Sequence, residues 1–355
     1  MTSSGLWLGL AAAFLTAFGL GPLKTALKRW SVVDWPNNRS SHKHPTPLGA
    51  GWLLVPVALS GVAAASFLGG QSVPWSIIIG AIGLMAISGL DDVRPISPWP
   101  RLVCQAVAVA IVLLILPPDY RLFEALPLVM ERLLIGLAWL WYINLFNFMD
   151  GLDGLSAIEI LTVGAGVAMI GALAGFMGTM ALPDALTDCG LVLVGVACGF
   201  LIWNWHPARV FLGDVGSVPL GFLLGWVLLW LAFQGHLIEA LLLSLFHVAD
   251  TTSTLTSRII RRERVWRPHR EHAYQQPVRA GWRHDRVVGI IAVVKVALVI
   301  LAVAVAANLV PGIPSLVIAV LMVFGVIFGF HRTAPTESQP RPRALTDRTS
   351  ESISG

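Results

Sequence analysis

Eleven apolar windows decide what this chain can fold into. They lie at 4–23, 50–69, 74–90, 102–117, 127–146, 157–180, 189–204, 217–234, 236–254, 287–308 and 311–330. A helix needs about 20 apolar residues to cross the hydrocarbon of a bilayer, within a range of about 17–25. In lipid every backbone N–H and C=O must be satisfied inside the chain, so such segments become helices. Only 12% of the residues are charged, against about 25% in a soluble domain. The expectation is an all-α, polytopic transmembrane helix bundle of 10–11 spans over residues 1–330. The Pro- and Ser-rich segment 331–355 reads as a disordered cytoplasmic tail. Cys104, Cys189 and Cys198 lie in or beside apolar runs without metal-ligand spacing, and read as buried small hydrophobes.

Charge sets the orientation. The first window has no basic residue before it, while Lys24, Lys28 and Arg29 follow it. That is the pattern of an uncleaved span with its N-terminus outside. The alternate loops 24–49, 91–101, 147–156, 205–216 and 255–286 then face inward with the C-terminal tail. They carry Arg39, Lys43, Arg94, Arg101, Arg209 and nine arginines between Arg258 and Arg286. The opposite loops hold only Arg121 and Arg132, beside several carboxylates. The positive-inside rule thus holds along the whole chain.

Every polar cluster falls in an inward loop. In Asn144-x-x-Asn147-x-x-Asp150-Gly151-x-Asp153-Gly154, each step of three drifts about 60° around a helix. Asn144, Asn147 and Asp150 can share a broad face there. The two glycines predict that the helix ends near Asp150 and curls its polar groups around a charged ligand. Asp91 and Asp92 follow the third window, and as helix neighbours they point about 100° apart. They can meet one ligand only if the helix ends there, as Pro95, Pro98 and Pro100 imply. Gly213-Asp214-Val215-Gly216-Ser217 sets one carboxylate between glycines. A helix starting at about Ser217 would offer free N–H groups to an anion. Arg39 to Gly51 combines cations, hydroxyls and glycines, suited to phosphate, although a basic loop touching anionic lipid is the simpler reading. In the last inward loop, His269 and His272 share a helical face next to Arg270, Tyr274 and Gln275. Imidazole with guanidinium suits a diphosphate, and no zinc pattern is present. Asp250, at the inner end of its span, either orients that loop or is a polar group satisfied within the bundle. Lys295 lies inside an apolar window, where it must snorkel or pair. His206, His236 and His247 read as structural.

Asp91-Asp92, Asn144 to Leu155, Phe211 to Ser217 and His269-x-x-His272 occur in that order. Together they resemble the polyprenyl-phosphate N-acetylhexosamine-1-phosphate transferases, glycosyltransferase family 4. The resemblance spans about 39–275. It implies a Mg²⁺-dependent enzyme, with Mn²⁺ as an alternative ion. Its reaction would move a sugar-1-phosphate from a UDP-sugar donor to undecaprenyl phosphate and release UMP. It also implies a bacterial cytoplasmic membrane, a site facing the cytoplasm and contact with membrane lipid. No nucleic-acid partner is expected, and a homodimer is left open. By motif, Asn147 and Asp214 match the metal ligands, and Asp91 and Asp92 the catalytic pair. Asp150 and Asp153 match the polar lining near nucleotide and metal and are grouped with the catalytic set. Lys43, Thr46, Asn144, Asn204, His269, Arg270 and His272 are carried as substrate-binding. The His-x-x-His-x-Tyr-Gln form is similar to that of the O-antigen initiators. The peptidoglycan phospho-N-acetylmuramoyl-pentapeptide transferase is the alternative. A transporter of anionic substrates, the rival from another class, would place charges near the midplane, where Lys295 is the main exception to a one-sided distribution.

Overall fold

The computed structural model describes residues 3–36, 45–94, 96–177, 182–263 and 270–334. Lys43, His269 and the segment 335–355 lie outside the described residues. Eleven long helices correspond one to one with the eleven apolar windows. They are α1 (Ser3–Arg29), α2 (Gly51–Leu68), α3 (Trp75–Val93), α4 (Pro98–Ile115), α5 (Leu128–Met149), α6 (Leu155–Met177), α7 (Asp184–Asn204), α8 (Asp214–Phe233), α9 (Leu237–Ile260), α11 (His284–Ala306) and α12 (Gly312–Arg332). A short helix, α10 (Gln275–Arg279), lies in the last loop before α11.

Ten of the long helices are long and apolar enough to cross a membrane. The exception among the described residues is α9, which carries Glu239, His247, Asp250 and a Ser/Thr-rich second half. One polar face is buried, with Glu239, His247, Asp250, Thr251 and Thr254 all inside the bundle. A helix that turns its polar face inward is held by internal partners rather than by lipid. Helix α8 is the most enclosed span. It packs against α3, α5, α9 and α2, while α1, α2 and α6 surround α7.

The chain's only sheet among the described residues is a two-residue ribbon, β1 (Val33–Asp34) against β2 (Thr46–Pro47). It sutures the first loop onto the segment before α8. Phe211 N–H donates to Pro47 O at 2.8 Å, and Gly49 and Ala50 N–H donate back to Phe211 O at 3.0 and 2.9 Å. The loops after α1, α3, α5, α7 and α9 therefore meet at one end of the bundle, around a common cavity.

Candidate active site

A cavity of about 550 Å³ opens at that end. Its wall includes Asp92, Asn147, Asp150, Asp153, Asn204, Asp214 and Arg270, together with Gln275 and Arg279. Five separate inward loops contribute, so the structure brings together residues that the sequence holds far apart.

The centre is built on the start of α8. Gly213 caps that helix with φ +76°, a left-handed conformation that glycine adopts without strain. A Cβ there would also lie 2.8 Å from Asp92 Oδ2. Asp92 Oδ1 accepts Asp214 N–H at 3.1 Å, and Asp92 Oδ2 accepts Val215 N–H at 3.0 Å. Gly216 and Ser217 N–H both turn back to Gly213 O at 2.9 Å. This corrects the expectation that the helix start, placed at Ser217, leaves N–H groups for a bound anion. The helix begins at Asp214, and a carboxylate from α3 already occupies its positive end.

Asp214 points the other way. Its Oδ1 accepts Asn147 Nδ2 at 2.8 Å, and its Oδ2 accepts Arg101 Nη2 at 2.6 Å. Asn147 Nδ2 also donates to Ser217 Oγ at 2.8 Å. Asp91 is not in the cavity wall. Helix α3 runs on to Val93, so the pair diverges as helix neighbours must. Asp91 accepts Ile96 N–H at 2.6 Å and Arg101 Nη1 at 2.5 Å. Arg101 thereby joins Asp91 to Asp214. No local pattern pairs Arg101 with either one, since only the packing of α3, α4 and α8 brings them together.

Helix α5 ends at Met149, as the glycines predict, and Asp150 turns into the cavity. Ser156 Oγ donates to Asp150 Oδ1 at 2.5 Å. Burial, aided by the charges of Asp214, Asp92 and Asp153, still pushes the Asp150 carboxyl up to about 7. Gly151 is needed for a different reason than ligand approach. A Cβ at Gly151 would lie 2.3 Å from the Tyr274 hydroxyl, which donates to Phe148 O at 3.0 Å. Asp153 lines the cavity but is engaged elsewhere. His206 Nδ1 lies 2.6 Å and His284 Nδ1 3.4 Å from its Oδ2. Burial opposes ionisation of Asp153, yet hydrogen bonds from His284 and His206 hold it below the ordinary carboxylate range.

Several expected residues sit apart from the cavity. Asn144 is turned away from Asn147, and its Nδ2 donates to Gln105 Oε1 and Leu140 O, both at 2.8 Å. Three residues on a straight helix rotate by about 300°, enough to aim it at α4 rather than at the cavity. Thr46 is buried in the β-ribbon, and Leu48 and Phe211 form the wall there instead. Asn204 lines the cavity but braces its loops, accepting Gly154 N–H at 2.8 Å and donating to Val210 O at 3.0 Å. His272 is buried behind the wall, with Nδ1 3.3 Å from Asp250 Oδ1.

Asp250 anchors this last loop. It accepts Ala273 N–H and Tyr274 N–H, both at 3.0 Å. Burial raises the Tyr274 hydroxyl well above its ordinary value, with Asp250 and Asp150 adding to the effect. The hydroxyl therefore stays protonated and serves as a donor. Gln275 Nε2 donates to that hydroxyl at 3.1 Å. Its Oε1 is buried with no hydrogen-bond partner among the described residues. An acceptor of this kind in a cavity wall suits a donor group on a ligand.

The interior also holds a cluster that the hydropathy pattern hides. Lys295 Nζ lies 2.5 Å from Glu159 Oε2, and both side chains are fully buried. Glu159 also meets His247 Nδ1 at 2.8 Å and accepts the Tyr142 hydroxyl at 3.1 Å. Lys295 is thus paired rather than snorkelling, and its partner was missed because Glu159 stands alone in an apolar run.

Residues 74–232, which carry Asp92, Asn147, Asp150 and Asp214, match the sequence profile described as glycosyl transferase family 4. Over those residues the chain is similar to this family. It is 27% identical over 289 residues to a probable undecaprenyl-phosphate N-acetylglucosaminyl 1-phosphate transferase of Bacillus subtilis, covering 77% of each chain. It is 28% identical over 321 residues to the decaprenyl-phosphate N-acetylglucosaminephosphotransferase of Mycobacterium tuberculosis, covering 80% of this chain and 78% of the relative. A phospho-N-acetylmuramoyl-pentapeptide-transferase of a Synechococcus strain is 35% identical over 222 residues, or 56% of this chain and 59% of that one. The chain is thus an all-α polytopic membrane bundle, and the relatives it resembles are transferases.

The family implies a divalent cation, and the residues fit one. Asp92, Asp150 and Asp214 with the Asn147 carboxamide line one cavity, and all offer oxygen donors of the kind that hard dications take. The raised Asp150 carboxyl reflects burial and negative charge crowded into this space, which a cation would relieve. Asn147 and Asp214, already in contact, are the pair best placed to hold it.

Proposed function

We propose that this transferase moves an N-acetylhexosamine-1-phosphate from a UDP-sugar to undecaprenyl phosphate, giving undecaprenyl-diphospho-sugar and UMP. One observation carries the reading: Asp92, Asn147, Asp150 and Asp214 face one cavity whose far wall brings Arg270 and Arg279. That arrangement suits a diphosphate bridged by a metal ion and gripped by guanidinium groups. The N-acetylglucosamine donors named for relatives matched over about four-fifths of this chain favour an N-acetylhexosamine over the muramoyl-pentapeptide. Service in O-antigen or another cell-surface polysaccharide rests on the resemblance of the last loop.

Bound Mg²⁺ (or Mn²⁺) would neutralise charge on the donor diphosphate and on the UMP that leaves it. The chain's own groups do the rest. Asp92 and Arg101 fix Asp214 from two sides, so the ligand pair is preorganised. Asp250 and Tyr274 hold the Arg270 loop over the cavity. Asp150 lines the same cavity, where its carboxyl can take a proton or a hydrogen bond from a bound phosphate. The loops of the cavity are those carrying the arginines, so the site faces the cytoplasm, the source of nucleotide sugars, while the bundle supplies lipid access. A transporter of anionic substrates is less favoured. The interior charges are paired with one another and do not line a path.

Purified protein with undecaprenyl phosphate, Mg²⁺ and a panel of UDP-sugars tests the proposal by UMP release. At least one UDP-N-acetylhexosamine should support release, chelator should abolish it, and Asp214→Asn should reduce it by orders of magnitude. Absence of UMP release across the panel, or a fully active Asp214→Asn, would overturn the reading.

A further inference from the structure

At the edge of the cavity stands a cluster in which Asp153 lines the wall and two histidines, outside that lining, have no part in the transfer proposed above. Asp153 comes from the turn after α5, His206 from the loop after α7 and His284 from the first residue of α11. One ligand atom from each lies within 4.8 Å of the other two, and among the described residues no other group of His, Cys, Asp and Glu side chains converges in this way. The two imidazole centroids are 4.9 Å apart.

We propose that Asp153, His206 and His284 form a second cation site, selective for a borderline-soft divalent ion of the zinc class and separate from Asn147 and Asp214. Three observations carry this. First, the donor set is two imidazoles and one carboxylate, which suits zinc and its neighbours, whereas Mg²⁺ prefers all-oxygen sites. Second, His284 Nδ1 is frustrated without an ion. It lies 3.4 Å from Asp153 Oδ2 and 3.5 Å from Asp153 N–H. A protonated Nδ1 opposes the N–H, and an unprotonated one opposes the carboxylate oxygen. A cation between nitrogen and oxygen removes the conflict. Third, the spacing is close to what an ion requires. Ligands at about 2.0–2.1 Å in tetrahedral array stand about 3.3–3.4 Å apart, and the His284–Asp153 separation is 3.4 Å. The His206–Asp153 contact, 2.6 Å, would open by several tenths of an ångström.

The site is also accessible and supported. The His284 and Asp153 side chains are buried at 5% and 6% exposure, while His206 keeps 26% and leaves a coordination position open to water. Ala208 N–H donates to Asp153 Oδ2 at 3.1 Å, the outer contact that orients a carboxylate ligand. An ion here would staple three loops at the cavity rim, fixing Asp153 between the two sites.

The test uses full-length, untagged protein in lipid nanodiscs, stripped with chelator and titrated with Zn²⁺ in millimolar Mg²⁺. Wild type should bind one equivalent and gain thermal stability. His206→Ala and His284→Ala should each weaken binding on the order of tenfold or more and lose the stabilisation, whereas Asp214→Asn should bind like wild type. Should His284→Ala fail to fold, the half-exposed His206 decides, with Co²⁺ as a probe: its visible absorption should show nitrogen ligation in wild type and lose it in His206→Ala. Absence of Zn²⁺ binding in wild type would leave the cluster a hydrogen-bonded clamp and overturn the proposal. So would equal binding in His206→Ala, or loss of binding in Asp214→Asn or in Mg²⁺. All are direct binding readouts, so they stand apart from failure of the transferase reading.

Discussion

Asp92 has a structural duty that can be separated from chemistry. Its two oxygens accept the first two N–H groups of α8, at 3.1 and 3.0 Å. Asp92→Ala removes both acceptors from the end of the most enclosed span. Loss of one capping side chain costs about 1 kcal/mol, within roughly 0.5–2. A carboxylate at a partly buried helix start adds about 0.3–2 kcal/mol through the dipole. Two orphaned N–H groups and the lost charge together cost about 2–4 kcal/mol. Asp92→Asn keeps one acceptor oxygen and should lose about half as much. Relief of repulsion from Asp214 and Asp150 works in the opposite direction, so the comparison belongs in Mg²⁺, where that repulsion is neutralised. Thermal unfolding in nanodiscs, followed by tryptophan fluorescence, should place the midpoints in the order wild type, Asn, Ala. Both variants should lose turnover. A wild-type midpoint for Asp92→Ala would refute the capping role and return this residue wholly to catalysis.

In the metal-free protein, the Asp150 carboxyl titrates near 7, raised from 3.8. The native state therefore holds a proton that the unfolded chain releases, and this group's contribution to stability falls as pH rises from about 4 to about 7. Asp150→Asn should flatten that part of the midpoint-against-pH curve, and an unchanged slope would count against the burial argument. Lys295→Met leaves the buried Glu159 charge with only His247 and the Tyr142 hydroxyl beside it and should cost up to about 3–5 kcal/mol. Adding Glu159→Gln should recover most of that loss in thermal midpoint, and a double variant no better than the single one would deny the coupling. Gly213→Ala adds a Cβ at φ +76°, 2.8 Å from Asp92 Oδ2. It should destabilise by about 1–3 kcal/mol and lower turnover, and wild-type turnover would show that the helix start tolerates displacement. Asp250→Ala releases the Ala273 and Tyr274 N–H groups. It should speed limited proteolysis within 270–280 and raise the donor KM more than it lowers kcat, whereas a protease pattern like wild type would contradict the anchoring role.

The sequence by itself determined the helices and the end at which the chemistry gathers. Lipid leaves a long apolar segment one solution, so hydropathy placed all eleven helices, α9 included despite its polar inner face. Charged loops must stay near water, so the motifs around Asp92, Asn147, Asp214 and Arg270 had to meet at an interface. The turn at Asp150 was readable as well, because glycine and a polar run stop a helix locally. Partnerships between elements were not readable. Periodicity fixes which way a side chain leaves its own helix, not which neighbour receives it. Tertiary packing alone decided that Asp92 caps α8, that Arg101 joins Asp91 to Asp214, and that Asn144 turns to Gln105. It also decided that Gly151, in the cavity wall, must make room for Tyr274. Packing likewise gathered Asp153, His206 and His284 from three loops and matched Glu159 to Lys295 inside the bundle, since each such contact depends on how separate helices are set against one another.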